Sequence, residues 1–346
     1  MENKTIEVDG SHGEGGGQII RTSIALSAVT EKPCRIFDIR KGRPNPGLQA
    51  QHLEAIKSVA VMCGADVEGL DIGSTEVTFI PGKITSDKIG VNIPTAGSIG
   101  LVLQAMMIPA SRAPAPVSIE FRGGATNGKW APPLNYTKNV LLPLLAKMGY
   151  DARIDIQQYG YYPKGGAVVS VEINPSTLAP LELAERGKLA GIKGVSHASA
   201  SLQKARVAER QAEACSKALS ANGLESSISI AYSDAACPGS GVELQAIFEN
   251  SVVGAGALGE KNIKAEDVGK HAAKKLLESV GSPACVDEYA EDQLLPYMAL
   301  APPSRMSVPK ITSHTRTNIW VIEKFLSVKF EIDEKNKIIS VNLNHV

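Results

Sequence analysis

The sequence predicts an α/β (α+β) protein in which three repeated α/β units form a large domain that carries a smaller inserted α/β domain. Three observations indicate this fold. The chain has 346 residues, which is more than one average domain. Segments with apolar residues at three- and four-residue steps alternate with short segments of period-two alternation, as helices and strands do. The same order of segments recurs three times, and a long stretch with another order interrupts the third copy.

The first copy begins after a short strand-like segment, TIEVD. It contains a helix at 17–28, a strand at 34–40, a helix at 48–62 and a pair of strands that ends at Ile80. The second helix carries apolar residues at helical spacing, at Leu53, Ile56 and Val59. The closing strands alternate, as in STEVTFIPG, so that one face of the pair is apolar.

The second copy repeats this order with a helix at 97–110, a strand at 116–121, a helix at 136–148 and closing strands that reach Ile173. Gly64 and Gly149 follow the second helices of the two copies at matching points, which supports the repeat. The third copy begins near 179–196 and resumes later with a helix at 292–301, a strand at 306–311, a helix at 317–326, and strands at 328–332 and 338–343.

The stretch at 199–280 has a different order and predicts the inserted α/β domain. It contains a long helix at 202–221, strands at 226–232 and 242–249, and a helix at 265–280. We therefore divide the chain into a large domain, residues 1–185 and 281–346, and an inserted domain, residues 186–280.

Composition excludes several classes of protein. The formal net charge is zero, which argues against a protein that coats nucleic acid non-specifically but is compatible with a small basic pocket for one phosphate-bearing end. The five cysteines are scattered and form no CxxC pair, which argues against structural zinc and favours reduced thiols. The polar start, MENKTIEVDG, is unlike a signal peptide, and the most apolar stretch, 99–110, is too short for a membrane span. We expect a soluble, cytoplasmic protein.

A glycine-rich loop, GSHGEGGGQ at 10–18, joins the first strand to the first helix. Consecutive glycines let backbone N–H groups approach an anion, and the helix N-terminus favours negative charge. Glu14 within the loop would repel a bare phosphate, so a bridging metal ion is the sensible partner. Arg21 lies about one turn into the helix and reaches the same place. The alternative is a tight turn without a ligand.

A basic loop, RKGRP at 40–44, precedes the second helix. Arg40 and Arg43 are three residues apart and can present fork-shaped donors to a phosphate. Gln51 and His52 project from the start of the neighbouring helix. The alternatives are a solvated basic loop and a histidine that is only capped or partly buried.

A third motif, SHTRTN at 313–318, opens the last long helix. We expect Thr317 or Asn318 to cap that helix, with His314 just outside the cap in the loop. An imidazole is largely neutral and nucleophilic near pH 7, so His314 can attack a substrate. The alternative is a bystander histidine.

Several polar and aromatic residues lie in otherwise apolar surroundings. The helix before that motif opens with Tyr289, Glu291, Asp292 and Gln293. Carboxylates in a first helical turn are expected for dipole reasons alone, and the alternative is that they hold a metal ion or orient the imidazole. Gln104 lies alone in an apolar helix and is either a core hydrogen-bonding group or a ligand contact. The segment WAPPLNY at 130–136 offers flat surfaces that could sandwich a base or simply pack.

These candidates share a placement within the predicted repeats. Glu14, Arg21, Gln104, Asp292 and Gln293 fall on the first helices of the copies or on the turns that open them. The residues Arg40, Arg43, His52, Tyr136 and His314 lie at the turns before the second helices or at their starts. If the copies pack with approximate threefold symmetry, these ends converge on one cleft.

Four stretches together resemble the RNA 3′-terminal phosphate cyclases over essentially the whole chain. They are DGSHGEGGGQIIRTSIALS at 9–27, RKGRPNPGLQAQHLEAIK at 40–57, EDQLLPYMALA at 291–301 and SHTRTNIWVIEKFL at 313–326. The resemblance implies three repeated α/β units with a smaller domain inserted in the last. It also implies a ligase reaction, in which ATP adenylylates a histidine, AMP passes to an RNA 3′-phosphate, and the vicinal 2′-hydroxyl displaces AMP to leave a 2′,3′-cyclic phosphate.

The resemblance also implies roles for single residues. His314 would be the adenylylated nucleophile and Glu14 the ligand of a divalent metal, Mg²⁺ or Mn²⁺. Phosphates would be held by Arg21, Arg40, Arg43, Gln51 and His52. The nucleotide would be surrounded by Gln104, Tyr289, Asp292 and Gln293, with Pro132 against the adenine. The implied partners are ATP and RNA 3′-phosphate ends, without a membrane, and the oligomeric state is left open.

The chain departs from the family pattern at two places. The loop at 159–167, YGYYPKGGA, replaces an Arg- or His-led loop that ends in three glycines, and Asn135 replaces a common aspartate. Two other readings compete with the cyclase. Non-catalytic, cyclase-like ribosome-assembly proteins lack the active histidine, and enolpyruvyl transferases share a related architecture without needing a loop histidine of this kind.

Overall fold

The computed structural model describes residues 4–85, 87–129 and 131–344. Over these residues the chain forms four mixed sheets of four strands each, flanked by helices, which confirms the predicted α/β class. Within them, no helix has both the length and the apolar character that a membrane span requires.

The first sheet has the strand order β1-β2-β4-β3. Its elements are β1 (Ile6–Asp9), α1 (Gly17–Thr30), β2 (Cys34–Phe37), α2 (Ala50–Cys63), β3 (Asp66–Glu68) and β4 (Val77–Ile80). The strands β1 and β2 pair in parallel, and α1 makes the crossover that a parallel pair requires. The strand β4 is antiparallel to both of its neighbours.

The second sheet has the corresponding order, β5-β6-β8-β7. Its elements are β5 (Lys88–Ser98), α3 (Ile99–Ala110), β6 (Val117–Ala125), α4 (Leu134–Tyr136), a π-helical turn (Thr137–Leu141), α5 (Leu142–Ala146), β7 (Ala152–Gln158) and β8 (Val168–Ile173). The pair β5 and β6 is again parallel, while β8 is antiparallel to β6 and β7.

The third sheet combines one short strand near the middle of the chain with the last three strands. Its elements are β9 (Glu182–Leu183), α8 (Ala290–Leu300), β14 (Ser304–Ser307), α9 (Ser313–Phe325), β15 (Val328–Asp333) and β16 (Ile338–Leu343), in the strand order β9-β14-β16-β15. The strands β9 and β14 are parallel, and β16 is antiparallel to both of its neighbours. Three sheets thus share one order of pairing, which supports the predicted repeat.

The fourth sheet lies in the stretch between β9 and α8 and has another order, β11-β10-β12-β13. Its elements are β10 (Leu189–Ser199), a 3₁₀ turn (Ala200–Leu202), α6 (Val207–Ser220), β11 (Ser226–Ser233), β12 (Ser240–Phe248), β13 (Val252–Leu258) and α7 (Ala265–Gly281). It encloses an apolar cluster of its own, which includes Cys215, Leu244 and Leu276. The proposed boundaries at 186 and 280 stay a prediction that agrees with this separate cluster.

Several predicted elements were wrong in detail. The helix predicted at 317–326 begins at Ser313, because Thr312 rather than Thr317 or Asn318 is the N-cap. His314 therefore lies in the first helical turn and not in a loop. The strand predicted at 306–311 is Ser304–Ser307. The residues from Leu189 onwards, assigned to the start of the third copy, belong to the fourth sheet.

A second apolar cluster unites the first three sheets and their helices. Within it α1 packs against α3 and α9, α2 packs against α3, and α8 packs against α9. Because α1, α8 and α9 are neighbours, the polar residues at their N-terminal ends are brought together at one edge of this cluster. That edge is the site described next.

Candidate active site

A cavity of about 970 Å³ opens between the N-terminal ends of the helices and the fourth sheet. Its size is in the range of small-molecule sites. Eight predicted site residues line it: Glu14, Arg21, Gln104, Pro132, Tyr289, Asp292, Gln293 and His314. The fourth sheet and α7 supply part of the opposite wall, including Glu243, Gly256 and Lys275.

His314 lies between two carboxylates. Its Nε2 is 2.7 Å from Glu14 Oε2, and its Nδ1 is 3.6 Å from Asp292 Oδ2. The second separation is a charge contact rather than a formed hydrogen bond. The neighbouring Asp292 carboxylate, helped by Glu14, raises the pKa of His314 above its ordinary value, while burial and Arg21 oppose the rise. The ring is half-exposed and faces the cavity.

The backbone around His314 is fixed by hydrogen bonds from three helices. The Gln18 side chain of α1 donates to the His314 carbonyl at 2.8 Å. Asn318 donates to the Asp292 carbonyl at 2.8 Å and accepts from the Thr22 hydroxyl at 2.7 Å. The Thr312 hydroxyl accepts from the Thr315 N–H at 3.0 Å and caps α9. The nucleophile candidate is thus held by rigid elements.

Glu291, next to Asp292, is fully buried below this turn, with no exposed surface. Its Oε1 accepts from the Thr315 hydroxyl at 2.6 Å, and its Oε2 has no hydrogen-bond partner in the part of the chain that the structure describes. Burial raises the pKa of Glu291 to about 7. The sequence placed Glu291 among the first-turn carboxylates of this helix, but nothing in the sequence reveals that it is buried.

The glycine-rich loop packs on α9. Gly13 and Gly15, on either side of Glu14, have φ values of +58° and +54°, which side-chain-bearing residues rarely adopt. A Cβ at Gly13 would lie 2.2 Å from the Thr317 hydroxyl oxygen, so the backbone passes close to the helix. The His12 ring stacks on Trp320 with centroids 3.9 Å apart and an interplanar angle of 8°. The Ser313 hydroxyl donates to Glu14.

Two arginines approach Glu14 and His314 from the other side. Arg43 Nη2 is 3.6 Å from Glu14 Oε2. Arg21 Nε donates to the Gln104 side-chain oxygen at 2.9 Å. Burial lowers the pKa of Arg21 to about 10, against the nearby Asp292 charge, which raises it. A desolvated guanidinium whose direct partner is a neutral amide favours an anionic ligand.

His52 is buried, with 3% of its surface exposed. Its Nδ1 accepts from the Gln49 N–H at 3.1 Å, so it caps α2 as the alternative reading expected. Burial, with the Arg21 and Arg40 charges, lowers the pKa of His52 to about 3. The ring is therefore neutral with its proton on Nε2, near Gly17 at the start of α1. That N–H is a donor at the predicted anion site.

Four predicted residues do not line the cavity: Arg43 and His52, described above, and Arg40 and Gln51. Arg40 Nη1 donates to the carbonyls of Asn45 and Gly47, so its guanidinium is turned into its own loop. Gln51 lies on α2, with its Cβ near Gly97. Arg40 thus lies near Arg43 and His52 without reaching the cavity, and Gln51 does not line the cavity either.

Two flat side chains line the part of the cavity that borders the fourth sheet. Pro132 and Tyr289 both line the cavity, and Tyr289 meets Tyr136 edge to face with centroids 5.8 Å apart. A proline and a tyrosine across a cavity can hold a flat base. Trp130, which was considered for the same role, lies outside the described residues.

A metal ion at Glu14 would need ligands beyond the protein. In the described ranges, no group of three or more His, Cys, Asp and Glu side chains is arranged to hold a metal ion. One partly exposed carboxylate still fits Mg²⁺ or Mn²⁺, because such ions are commonly held by one or two carboxylates together with substrate phosphates and water. The Glu14 site suits a metal that arrives with a nucleotide.

Sequence reasoning missed two buried carboxylates between the fourth sheet and the large cluster. Glu243 and Asp287 have 5% and 3% of their surface exposed. Both bind residues that precede or follow Pro132. Asn135 and the loop at 159–167, the two places where the chain departs from the family pattern, also contact each other here. The Asn135 side chain donates to the Tyr159 hydroxyl at 3.1 Å. No local sequence signal marks such contacts, since their partners are far apart along the chain.

The sequence is similar to one family of known proteins over nearly its whole length. A protein-family model described as RNA 3′-terminal phosphate cyclase matches residues 12–332. A protein of that name from Methanococcoides burtonii is 46% identical over 339 residues, covering 98% of this chain and 99% of the relative. Relatives of the same name from Methanosarcina barkeri and Pyrococcus furiosus are each 43% identical, covering 98% and 94% of this chain and 100% and 95% of their own lengths.

Proposed function

The chain belongs to the RNA 3′-terminal phosphate cyclase family, and from that premise we propose that it uses ATP to convert an RNA 3′-phosphate into a 2′,3′-cyclic phosphate. The reaction runs through a histidyl–AMP adduct on His314 and then an RNA adenylate. One observation carries this proposal: His314 faces a nucleotide-sized cavity with Asp292 beside one ring nitrogen and Glu14 beside the other.

In the first step Nε2 of His314 attacks the α-phosphorus of ATP. A P–N bond forms, the bond from that phosphorus to the bridging oxygen breaks, and pyrophosphate leaves. The attacking ring must be neutral, with its proton on Nδ1. The Asp292 carboxylate beside Nδ1 favours this tautomer and stabilises the positive charge that develops on the ring.

Glu14 has two roles in turn. Without nucleotide its Oε2 lies 2.7 Å from His314 Nε2, and this charge contact covers the nitrogen that must attack. Glu14 would hold a divalent metal, which supplies charge neutralisation to the phosphates. A carboxylate engaged in that way no longer needs the imidazole proton, so His314 is free to act as a nucleophile.

Phosphate binding falls to the cationic side of the site. Arg21 and Arg43 approach from α1 and from the basic loop, and His52 offers its Nε2–H. Gln104, already bound to Arg21, and Gln293 border the same space as Pro132 and Tyr289, which take the adenine. The proposed roles of Arg40 and Gln51 require the basic loop to rearrange, because Arg40 is bound to its own loop carbonyls.

The second and third steps transfer and then expel AMP. An oxygen of the RNA 3′-phosphate attacks the adenylyl phosphorus and the P–N bond to His314 breaks. The vicinal 2′-hydroxyl then attacks the 3′-phosphorus, its proton is lost to solvent, and AMP leaves. Well-oriented intramolecular reactions reach effective molarities of roughly 10⁵ M or more, so this last step needs little beyond activation and positioning.

Adduct formation is the decisive test. The protein is incubated with Mg²⁺ and ATP labelled at the α-phosphorus, then precipitated. We expect label that acid removes and alkali does not, and we expect none in His314→Asn, which keeps a side chain of similar size. ATP labelled at the γ-phosphorus should leave no label. If the unaltered protein retains no label, the enzymatic proposal is wrong and the non-catalytic, scaffold-like reading replaces it.

A further inference from the structure

The segment that carries Pro132 is tied to the fourth sheet by buried carboxylates. We define the wall segment as residues 126–136, of which Trp130 lies outside the described residues. It links β6 to α4 and forms one side of the cavity. Most of it is irregular backbone, whose shape depends on its hydrogen-bond partners rather than on a helix or a strand.

The Glu243 carboxylate on β12 forms hydrogen bonds to this segment at two points. Its Oε1 accepts from the Asn127 side chain at 2.7 Å, and its Oε2 accepts from the Asn135 side chain at 3.1 Å. The Thr126 hydroxyl donates to the Asn127 oxygen at 2.9 Å, which fixes that amide with its nitrogen towards Glu243. One carboxylate thus spans the two ends of the stretch that contains Pro132.

Glu243 also contacts the His197 ring of β10, which in turn contacts two tyrosines of a third, smaller apolar cluster. His197 Nε2 is 2.9 Å from Glu243 Oε2, and His197 Nδ1 is 2.7 Å from the Tyr161 hydroxyl. Tyr159 stacks on His197 with centroids 4.2 Å apart. His197 is completely buried. Fully satisfied buried networks of this kind impose one geometry on their surroundings.

Asp287, at the end of the fourth-sheet stretch, makes a second attachment beside the first. It accepts from the Tyr136 hydroxyl at 2.6 Å and from the Gly254 N–H of β13 at 2.7 Å. The same carboxylate accepts from the N–H groups of Tyr289 and Ala290 at the start of α8. Glu243 of the fourth sheet therefore holds the wall segment at Asn127 and Asn135, and Asp287, just before α8, holds it at Tyr136.

We propose that Glu243 is a positioning residue for the nucleotide: through Asn127 and Asn135 it holds the wall segment, and with it Pro132, at the distance from Tyr289 that a bound adenine requires. The fourth sheet is then a structural part of the nucleotide site. This inference rests on the proposed function in assigning the cavity to ATP, but the contacts themselves do not depend on it.

The first test compares Glu243→Leu with Glu243→Gln in adduct formation from α-labelled ATP. Leucine removes the acceptor that Asn127, Asn135 and His197 share, and leaves Asn135 only its bond to the Tyr159 hydroxyl. The side-chain oxygen of glutamine can still accept from Asn135 and His197. Its NH₂ group can donate to the Asn127 oxygen once the Asn127 side chain has flipped. We expect Glu243→Leu to raise the KM for ATP by roughly tenfold or more with the maximal rate nearly unchanged, because a uniform binding contact is lost. In Glu243→Gln the KM for ATP should stay within about threefold of the KM of the unaltered protein.

Glu266→Gln is the matched control, because it breaks an Arg210–Glu266 pair at 2.8 Å in the same stretch, between α6 and α7. Its KM should equal that of the unaltered protein. A folded Glu243→Leu protein with unaltered KM overturns the proposal. If that variant does not fold, Asn127→Ala and Asn135→Ala test the same bonds from the wall segment, and wild-type KM in both has the same consequence.

Amide hydrogen exchange provides a readout that needs no activity. We expect the backbone of residues 126–136 to exchange faster in Glu243→Leu, while α6 and β11 exchange as in the unaltered protein. Unchanged exchange in that segment contradicts the proposal even if the chain forms no adduct. If the unaltered protein binds no ATP but the exchange result holds, the proposed function fails and the role of Glu243 in shaping the segment stands.

Discussion

Glu14 and Arg43 illustrate how much of this site depends on single charges. The two side chains are partly exposed, and their contact of 3.6 Å in water contributes little to stability. They place opposite charges beside His314, where we propose that the phosphates of a nucleotide bind. Loss of either should therefore affect chemistry far more than folding.

We expect Glu14→Ala and Arg43→Ala each to slow adduct formation on His314 by about 100-fold or more, since each removes a group that neutralises charge in the reaction. The free energy of unfolding should change by less than about 0.5 kcal/mol, as at other surface positions. Rapid-quench labelling and urea denaturation measure the two effects. Glu7→Ala, which breaks the exposed Arg35–Glu7 pair at 2.8 Å, is the control and should leave the rate unchanged. A wild-type rate in either variant would remove that residue from the site.

The protonation of His314 offers a second prediction. The Asp292 carboxylate raises the pKa of His314 above 6.5 in the nucleotide-free protein. A histidine with a raised pKa stabilises the fold below its unfolded pKa, and this stabilisation is lost as pH rises through the folded pKa. In Asp292→Asn we expect the His314 pKa to fall, measured from imidazole resonances in an NMR titration. An unchanged pKa would show that Asp292 does not act on the ring.

At the scale of elements, the packing of α8 against α9 makes stability depend on pH. The pKa of Glu291 is raised from 4.5 to about 7 by burial, so the folded chain binds more protons than the unfolded chain between these values. Stability should therefore fall as pH rises from about 4.5 to 7. Glu291→Gln removes this loss, because an amide does not ionise.

The expected outcome is a difference in unfolding free energy, Glu291→Gln minus unaltered protein, that increases between about pH 5 and pH 8 by on the order of 1–3 kcal/mol. Urea denaturation at the two pH values measures it. A pH-independent difference would mean that the carboxylate is ionised, or equally protonated, in both states.

The stack of His12 on Trp320 fastens the glycine-rich loop to α9. Aromatic pairs of this kind contribute about 0.5–1.5 kcal/mol. In His12→Ala we expect the Mg²⁺ concentration for half-maximal adduct formation to rise severalfold, because the loop that carries Glu14 is less fixed. Trp320 also contacts Lys324, whose Nζ lies 4.5 Å from the centroid of the Trp320 ring. Lys324→Ala removes that contact and should leave the Mg²⁺ requirement unaltered. Equal metal requirements in the two variants would show that the stack does not position the loop.

The same elements show what local sequence can and cannot predict. The helices α1, α2 and α7 were predicted nearly to their ends, because their apolar spacing is regular and polar or glycine residues bound them. The start of α9 was misplaced because three possible caps, at Thr312, Thr317 and Asn318, compete, and only tertiary contacts decide between them. The strands β5 and β10 were not predicted as separate elements, since glycine, proline and serine interrupt their alternation.

For the site, the sequence predicted many of the residues that line the cavity and not those that hold the cavity wall in place. Glu14, Arg21, Asp292 and His314 belong to motifs with recognisable chemistry, and the structure brings them to one cavity. The contacts made by Glu243 join residues up to 116 positions apart, and no pattern of spacing predicts such pairs. Arg40 also could not be predicted to turn into its own loop, because this depends on backbone carbonyls.

At the scale of the whole molecule, the two apolar clusters predict two levels of stability. Cys34 lies in the large cluster and Cys215 in the smaller one, and both are fully buried. Burial raises the pKa of each thiol to about 12, so neither reacts while its cluster is folded. Because a smaller core gives less stabilisation, the fourth sheet should open first as denaturant is added.

We therefore expect iodoacetamide to modify Cys215 at a lower urea concentration than Cys34, measured by mass spectrometry of peptides after short labelling pulses. This experiment also tests the proposed division of the chain at residues 186 and 280. Modification of both thiols over one and the same urea range would show that the two clusters unfold as a single unit.

The parallel neighbours β9 and β14 pair at Glu182 with Arg305 and at Leu183 with Met306, although the whole fourth sheet is encoded between them. During synthesis, β9 must therefore wait unpaired while that sheet emerges and folds, since domains commonly form as the ribosome releases them. His314, which we propose carries the nucleotide, leaves the ribosome later still, on a helix whose own sheet is finished by β15 and β16. An incomplete nascent chain thus lacks part of the cavity wall, and we expect adduct formation only in molecules whose third sheet is complete.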